Sequence, residues 1–551
     1  METKKPSDIS AYEVQDISDV VGSFGPWQRR VFIIFFYINI VGIWQNLSIT
    51  FLAPNMNFWC IEPNSTDSFS LPVLPNSTDQ MLRRLSNNTS KDECMITVYS
   101  EQNATMVSFV NVSQPETVPC TKWQYDTSYT SQTLVSEFDL VCDREWLVSL
   151  AKSIYMIGFL VSVILFGQLS DWIRRLPTIF ISYIVTTISL LLFLLSTSYL
   201  MFVILRFFQA FGRTGLTTIG FVLLMEIVGP QHRTEAGIAI QLGWTVGFIT
   251  LALVGYLFRH WFWFQVAMSV PILPLVFFYK FIPESPRWLL IQGKVKQLEK
   301  ILIEGAKLNG QELKYQIKDL KMLKEQKTGQ NRSTSNVFDL FRSPKMRSRV
   351  LNMIYLWIVN AFMYYGLSYN TNDLAGNPYL NFFLAGALEI PAYASVFFGI
   401  KKWGRRPTLT FFMLAGGCAC AAIIAVPESI LWLTTAFAMI GKFCISGSFG
   451  VLYLYTSELF PTVVRNVAIG TCSMWARVGS ILAPFVKELG KATHVSVPNI
   501  IYAILAVSSG LLALLLPETK GQKMPDSLLE GEHFGEHGPL KDRGNCSKNE
   551  K

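Results

Sequence analysis

The chain has 551 residues, of which 50% are hydrophobic and only 16% are charged, whereas a typical soluble domain carries about 25% charged residues. This composition excludes an ordinary soluble protein. The net charge of +8 is compatible with nucleic-acid binding, but the basic residues are confined to alternate loops, so we expect a lipid bilayer as the partner and no nucleic acid.

The apolar residues come in runs as long as a membrane span, which takes about 20 helical residues. Twelve such runs, which we number as spans 1 to 12, predict an all-α membrane protein with twelve transmembrane helices in two six-helix halves. The predicted spans are 31–53, 147–167, 178–197, 201–222, 235–258, 262–281, 350–369, 378–399, 408–426, 431–452, 467–486 and 498–516.

Lys and Arg residues cluster on one side of the predicted spans. They precede span 1, follow spans 2 and 8, and are frequent between spans 6 and 7. Because cytoplasmic loops carry the excess of Lys and Arg, both termini are expected in the cytoplasm. The first 26 residues are polar and lack the apolar run of a signal peptide. The predicted units are a cytoplasmic tail (1–30), an N-terminal half (31–284), a cytoplasmic linker (285–349), a C-terminal half (350–516) and a second cytoplasmic tail (517–551).

The longest polar insertion, 54–146, follows span 1 and is expected to be extracellular. It holds six N-x-[ST] sequons, a density typical of a glycosylated surface. It also holds four cysteines, which predict two disulfide bonds in an oxidising compartment, with three pairings open. The sequon asparagines are Asn64, Asn76, Asn87, Asn88, Asn103 and Asn111, and the cysteines are Cys60, Cys94, Cys120 and Cys142.

Charged motifs recur in the two halves at equivalent points of the predicted topology. Each half has a charged turn after its second span, a Glu followed by an Arg after its fourth, and Pro-Glu-[ST] after its sixth. Each motif alone could mark a helix end, but three pairs in the same order at nearly the same offset indicate a parallel repeat. We predict that their charges form and break ion pairs at an inner gate. The predicted gating residues are Asp171, Arg175, Glu226, Arg233, Glu284, Arg287, Arg405, Arg406, Glu458 and Arg465.

The linker stretch 293–327 is rich in Lys, Glu, Leu and Ile, which predicts short amphipathic helices. The sequence contains no metal-ligand cluster, nucleophile elbow or phosphate loop. We therefore expect neither an enzyme nor a catalytic or metal site, and no cofactor other than a possible coupling ion, Na⁺ or H⁺.

The motifs resemble those of solute carrier family 22, the organic cation, organic anion and carnitine transporters. The resemblance runs from about residue 20 to about residue 530, and the large first loop together with the long central loop separates this family from sugar porters. It implies a major facilitator fold in which spans 1, 4, 7 and 10 line a central path. The matching motifs are Val21-Gly-x-Phe-Gly-x-x-Gln28, Trp123-x-Tyr-Asp, Leu140-Val-Cys142, Gly167-Gln-Leu-Ser-Asp171, Pro283-Glu-Ser-Pro-Arg-Trp-Leu289, Tyr365-Gly-Leu-Ser368, Glu389-Ile-Pro-Ala392, Tyr455-Thr-Ser-Glu-Leu-Phe-Pro-Thr462 and Leu516-Pro-Glu-Thr519.

One motif departs from the family pattern. After Asp171 the family has a basic residue and then x-Gly-Arg, whereas this chain has Trp172 and, in place of the glycine, Arg174. The matching turn of the second half keeps Gly404 and the two arginines that follow it. The larger side chains are expected to weaken or shift the inner gate.

Several charged residues lie inside the spans at similar depth. A charge at bilayer depth costs about 2.5–3.5 kcal/mol, so it faces protein or a watery cavity. These charges form either a substrate site or an internal Glu–Lys–Arg network, and the aromatic residues of span 7 either line the cavity or only pack. We interpret them as a substrate site. Arg206, which resembles a facilitator-superfamily motif in span 4, is instead expected to be structural or to serve as a proton or gating element. The predicted substrate-binding residues are Arg477, Glu389, Trp357, Tyr364, Tyr365, Lys442, Gln209, Arg213 and Phe221.

Comparison within the resembled family divides the possible substrates. Cation-preferring members resemble one another in an acidic residue at the position of Arg477, and in a Lys and a Trp at the positions of Thr214 and Thr217. Anion members typically have a Lys at the position of Tyr393. An arginine that binds a carboxylate, together with Glu389 and aromatic faces that attract an ammonium by about 0.5–2 kcal/mol, fits a zwitterion such as carnitine.

We therefore predict a multi-pass plasma-membrane solute carrier that moves small organic zwitterions or cations by alternating access. The first alternative is an organic-anion exchanger. The second, from another class, is a non-transporting receptor or sensor on a transporter scaffold. The sequence leaves the substrate, the coupling ion, the disulfide pairing and the oligomeric state open.

Overall fold

The computed structural model describes residues 21–60, 94–98, 116–311 and 337–534, except 428, 462, 523–524 and 526–527. The six asparagines predicted to carry glycans in the first loop lie outside these residues. Asn46, whose sequon lies inside span 1, is fully buried.

In the described part of the chain, eleven helices are long and apolar enough to cross a membrane, and a twelfth apolar helix is shorter. They follow the order of spans 1 to 12 and confirm the predicted all-α membrane fold. The first half consists of Pro26–Leu47 with Ile49–Leu52, then Trp146–Trp172, Arg175–Phe193, Tyr199–Ile227, Pro230–Leu257, and Trp261–Ser269 with Leu275–Phe278. The second half consists of Pro344–Tyr369, Pro378–Ala387 with Glu389–Lys402, Arg405–Ile424, Leu431–Leu459, Arg465–Ala492 and Val497–Ala513.

Several helices extend beyond their apolar runs. The helix of span 5 begins at Pro230, five residues before the predicted start, because a proline at the first helical turn loses no hydrogen bond. The helix of span 10 likewise continues to Leu459. Span 6 is broken, because Pro271 and Pro274 lack the N–H groups that a continuous helix needs.

The loop after span 1 contains two small antiparallel sheets. Strand β1 (Phe58–Cys60) pairs with β4 (Trp123–Tyr125), and β2 (Met95–Val98) pairs with β3 (Glu116–Pro119). The short helix Leu134–Glu137 leads towards span 2. Two disulfide bonds, Cys60–Cys120 and Cys94–Cys142, join these strands to each other and to the start of span 2. The prediction of two disulfides is confirmed, and the structure selects one of the three pairings.

We call the end of the bundle that carries this loop the loop end, and the opposite end the linker end. Four short helices lie at the linker end: Pro286–Ile291, Val295–Leu308, Asp339–Arg342 and Leu528–His533. Asn309 follows the second of them and docks on the start of span 1. Its Oδ1 accepts from the Trp27 amide at 2.9 Å, and its Nδ2 donates to the Val21 carbonyl at 2.6 Å.

The two halves meet at the loop end through spans 2 and 11. The Ser153 hydroxyl donates to the Ile481 carbonyl at 2.6 Å, and the Ser149 hydroxyl donates to Glu488 at 2.7 Å. Lys491 also forms an ion pair with Glu145. These bonds join the halves across their interface, so the structure represents a state that is closed at the loop end.

Candidate functional site

Glu389 and Lys442 form a buried ion pair in the middle of the second half. Their relative exposures are 0% and 2%, and Lys442 Nζ lies 3.3 Å from Glu389 Oε1. Lys442 also donates to the Ser368 hydroxyl at 2.7 Å. Glu389 accepts from the Tyr364 hydroxyl at 2.5 Å and from the Thr245 hydroxyl at 3.2 Å. The carboxylate is therefore balanced by one cation and hydrogen-bonded on both oxygens.

Aromatic rings surround this pair. Lys442 Nζ lies 3.4 Å from the centroid of the Tyr364 ring and 5.1 Å from that of Phe248. The Trp244 indole donates to the Tyr364 hydroxyl at 2.8 Å. Because Trp244 and Phe248 belong to span 5, the first half completes a site whose charges come from the second half.

Arg477 and Arg213 lie on either side of the interface between the halves, beside one phenyl ring. Their guanidinium carbons are 4.1 Å and 5.7 Å from the centroid of Phe159. Arg477 is 9% exposed and donates to the Tyr365 hydroxyl at 3.4 Å, at the long end of the hydrogen-bond range. Asn46 donates to the same hydroxyl at 3.2 Å. The site thus holds positive charge from both halves.

Arg206 is fully buried and holds span 4 against span 1. It donates to the Gln45 carbonyl at 3.1 Å, to the Ser48 hydroxyl at 3.0 Å and to the Gln209 side chain at 3.1 Å. Its guanidinium also lies 4.3 Å from the centroid of Tyr155. These contacts agree with a structural role for Arg206. In this state the side-chain oxygen of Gln209, a predicted substrate-binding residue, accepts a hydrogen bond from Arg206.

The other two predicted binding residues lie apart from the charged groups. The Trp357 indole donates to the Thr456 hydroxyl at 3.0 Å, and its ring packs 4.4 Å from that of Tyr453. Trp357 is fully buried, so it belongs to the packed interface between spans 7 and 10 in this state. Phe221 is 37% exposed near the linker-end terminus of span 4.

At the linker end of the first half, Arg175 contacts the carboxylates of three acidic residues. It forms ion pairs with Asp171 and, at 3.2 Å, with Glu226, and its amide donates to Glu284 at 3.0 Å. Trp172 departs from the family pattern, but its side chain is 82% exposed. It therefore does not displace the ion pairs of Arg175 with Asp171 and Glu226.

The second half repeats this arrangement. Arg405 pairs with Glu458 at 2.7 Å, and Glu518 accepts from the amides of Arg405 and Arg406 at 2.9 Å and 3.0 Å. The correspondence of the two clusters supports the parallel repeat. Both sets of bonds lie within one half, so in this state they brace each half and do not join the two. Of the other predicted gating residues, Arg233 donates to the Val228 carbonyl, Arg287 lies in the helix Pro286–Ile291 and Arg465 begins the helix of span 11.

The sequence interpretation missed the residues from spans 2 and 5 that face the charged groups. These are Phe159, Trp244, Thr245 and Phe248. They lie in apolar runs where no charge marks them. The parallel repeat offered one signal, because span 5 is the first-half counterpart of span 11.

A family model described as "Sugar (and other) transporter" matches residues 90–526. The "Organic cation transporter protein" of Drosophila melanogaster is 36% identical over 530 residues, which cover 94% of each chain. "Solute carrier family 22 member 16" of Xenopus laevis is 32% identical and covers 95% of this chain and 94% of its own. Among solved structures, a partially occluded inward-open conformation of the xylose transporter XylE from E. coli aligns with a TM-score of 0.58 at 14% identity, covering 90% of this chain and 99% of that one. This last likeness shows the fold alone.

Proposed function

Because the chain belongs to solute carrier family 22, a group of membrane transporters within the sugar (and other) transporter family, we propose that it carries small organic zwitterions or cations across the plasma membrane. Carnitine-like betaines are the zwitterions that fit the site best. The substrates are expected to bind between the two halves, near the middle of the spans.

The observation that carries this proposal is the placement of Tyr364 and Tyr365. These adjacent residues of span 7 reach two different charged groups, since Tyr364 contacts the Glu389–Lys442 pair and Tyr365 contacts Arg477. An ammonium favours the carboxylate and the aromatic faces, while a carboxylate favours the guanidinium. A solute that carries both groups finds a partner for each.

We propose that transport proceeds by rocking of the two halves about this site. In that cycle the contacts of spans 2 and 11 at the loop end open to the outside, and the Arg175 and Arg405 clusters rearrange at the linker end. Cytoplasmic termini and a glycosylated extracellular loop belong to the same proposal, supported by the Lys and Arg distribution and by the two disulfide bonds.

A second candidate is organic-anion exchange. It is favoured by one observation: Glu389 is already balanced by Lys442, whereas no anionic partner of Arg213 or Arg477 is found in the described part of the chain. An anion exchanger is expected to show uptake stimulated by dicarboxylates loaded on the opposite side of the membrane.

The test is uptake of labelled carnitine, tetraethylammonium and aminohippurate by cells that express the protein, with and without sodium. Uptake of carnitine and tetraethylammonium above that of control cells supports the proposal. Uptake of aminohippurate alone, with dicarboxylate trans-stimulation, would replace it with anion exchange. A requirement for sodium, or for a proton gradient, would identify the coupling ion.

A further inference from the structure

Two arginines from different halves are buried beside the same phenyl ring, that of Phe159, and in the described structure neither has a full set of hydrogen-bond partners. Arg213 is 3% exposed and Arg477 is 9% exposed. Within the described residues, Nε and Nη1 of Arg213 and Nε of Arg477 have no hydrogen-bond acceptor. A guanidinium carries five N–H donors and cannot be deprotonated in a protein, so both side chains remain charged.

Within the described spans, no acidic side chain is paired with either arginine. Glu389, the acidic side chain at this depth in the described spans, is paired with Lys442 and hydrogen-bonded to Tyr364 and Thr245. The contacts to Phe159 orient both guanidinium groups by cation–π attraction, but a neutral ring does not cancel their charge. Buried charges in proteins are normally paired.

Polar side chains of spans 1, 2 and 7 lie next to the two arginines. The Tyr155 hydroxyl faces Arg213. The Tyr365 hydroxyl accepts from both Arg477 and the Asn46 amide. The arginines are therefore set in a polar region of the interface and not only among apolar side chains.

We propose that Arg213 and Arg477 together bind the carboxylate of the substrate, one from each half, with Phe159 holding both guanidinium groups in place. This inference rests on the proposed function and adds Arg213 as a second residue that sets specificity. The guanidinium carbons of Arg477 and Arg213 lie 4.1 Å and 5.7 Å from the centroid of Phe159. Their separation therefore cannot exceed these two distances combined. A carboxylate has two oxygens and about four acceptor positions, enough to accept from both groups.

The arrangement also links substrate binding to the movement of the halves. Arg213 belongs to span 4 and Arg477 to span 11, so their like charges repel across the interface. A carboxylate between them replaces this repulsion with attraction to both sides. Solutes that bear a carboxylate are therefore expected to favour the occluded state more than simple cations do.

The test compares labelled carnitine with labelled tetraethylammonium in cells expressing Arg213→Gln, Arg477→Gln or the double variant. Arg259→Gln is the matched control, because Arg259 is an exposed arginine at the loop end of span 5. Hydrogen bonds to a charged group contribute about 1.5–3 kcal/mol, so each single variant should raise the half-saturating carnitine concentration about 10- to 100-fold. The tetraethylammonium value should change much less than the carnitine value, because this cation has no carboxylate, and the unfolding temperature of each purified variant without substrate checks that it folds.

The double variant should lose less than the product of the two single losses, because both arginines bind one carboxylate. Arg213→Lys, which keeps the charge but not the planar fork, should restore part of the affinity. The proposal is overturned if Arg213→Gln behaves like Arg259→Gln towards carnitine, or if it impairs both substrates equally.

A binding measurement separates this inference from the transport proposal. Carnitine should raise the unfolding temperature of the purified full-length protein, and Arg213→Gln should abolish that rise. If wild-type cells accumulate none of the probes but carnitine stabilises the protein in an Arg213-dependent way, the transport proposal fails and the carboxylate site stands. If carnitine does not stabilise the wild-type protein, the carboxylate site is refuted for this class of solute.

Discussion

Replacing Glu389 with Gln should destabilise the protein more than replacing Glu389 and Lys442 together. Both side chains are buried, and their charged atoms lie 3.3 Å apart. In Glu389→Gln the ammonium of Lys442 keeps only the Ser368 hydroxyl and the face of Tyr364 as close partners. A buried cation without a counter-charge is costly, because the protein interior solvates it poorly.

The expected size follows from the behaviour of other buried pairs. Removing one partner of a buried ion pair costs about 3–5 kcal/mol, while replacing both with apolar residues of similar volume is often neutral or stabilising. We therefore expect Glu389→Gln to lower the free energy of unfolding by about 3–5 kcal/mol, and the double change Glu389→Gln, Lys442→Met to recover most of that loss. The measurement is the unfolding transition of the detergent-purified protein.

Glu235→Gln is the control, because Glu235 is an exposed acidic residue near the start of span 5, and surface changes usually stay within about 0.5 kcal/mol. Equal stability of Glu389→Gln and this control would refute the pairing. A double variant less stable than the single one would show that Lys442 has another counter-charge. Uptake by the double variant then reports whether the pair also serves transport, since stability no longer limits it.

The other predictions use the same preparations. Arg477→Asp should reduce uptake of carboxylate-bearing solutes and raise uptake of tetraethylammonium. Unchanged uptake of every probe would show that Arg477 has no role in substrate selection. Asn309→Ala removes the side chain that caps the start of span 1 and should cost about 1–2 kcal/mol; limited proteolysis near the N-terminus should speed up, and Lys307→Ala should not reproduce the effect. Arg405→Gln leaves the buried Glu458 without the guanidinium that pairs with it and should cost about 2 kcal/mol in unfolding free energy. An unshifted transition would contradict the role of this cluster as a brace.

The sequence predicted the number and order of the spans because the bilayer imposes a length of apolar residues that is visible in the chain. The ends of the helices were less accurate. The helix of span 10 runs seven residues past its predicted end, since a helix continues as long as polar residues such as Glu458 find partners at the membrane surface. Hydropathy predicts which segments cross the membrane, whereas the positions of the helix ends depend on tertiary contacts.

The charged residues of the site were visible because charge is rare inside a span. Their pairing was not visible. Whether Glu389 bonds to Lys442 or to Arg477 depends on the rotation of spans 8, 10 and 11 about their axes, which packing decides. The structure brings Glu389 to Lys442 and leaves Arg477 beside Phe159, an apolar residue of span 2 that no pattern distinguished.

This pairing bears on which solutes the site accepts. With Glu389 neutralised by Lys442, a simple cation must compete with a lysine ammonium that already lies 3.4 Å from the Tyr364 ring. In the proposed site a zwitterion has a second attachment, because its carboxylate would bind Arg477, which contacts Tyr365. The ring centroid of Tyr365 is 5.5 Å from that of Tyr364. Binding energy from the carboxylate can then offset the displacement of Lys442 from Glu389. We therefore expect zwitterions to bind more tightly than cations of the same size, and the difference to disappear when Arg477 is replaced.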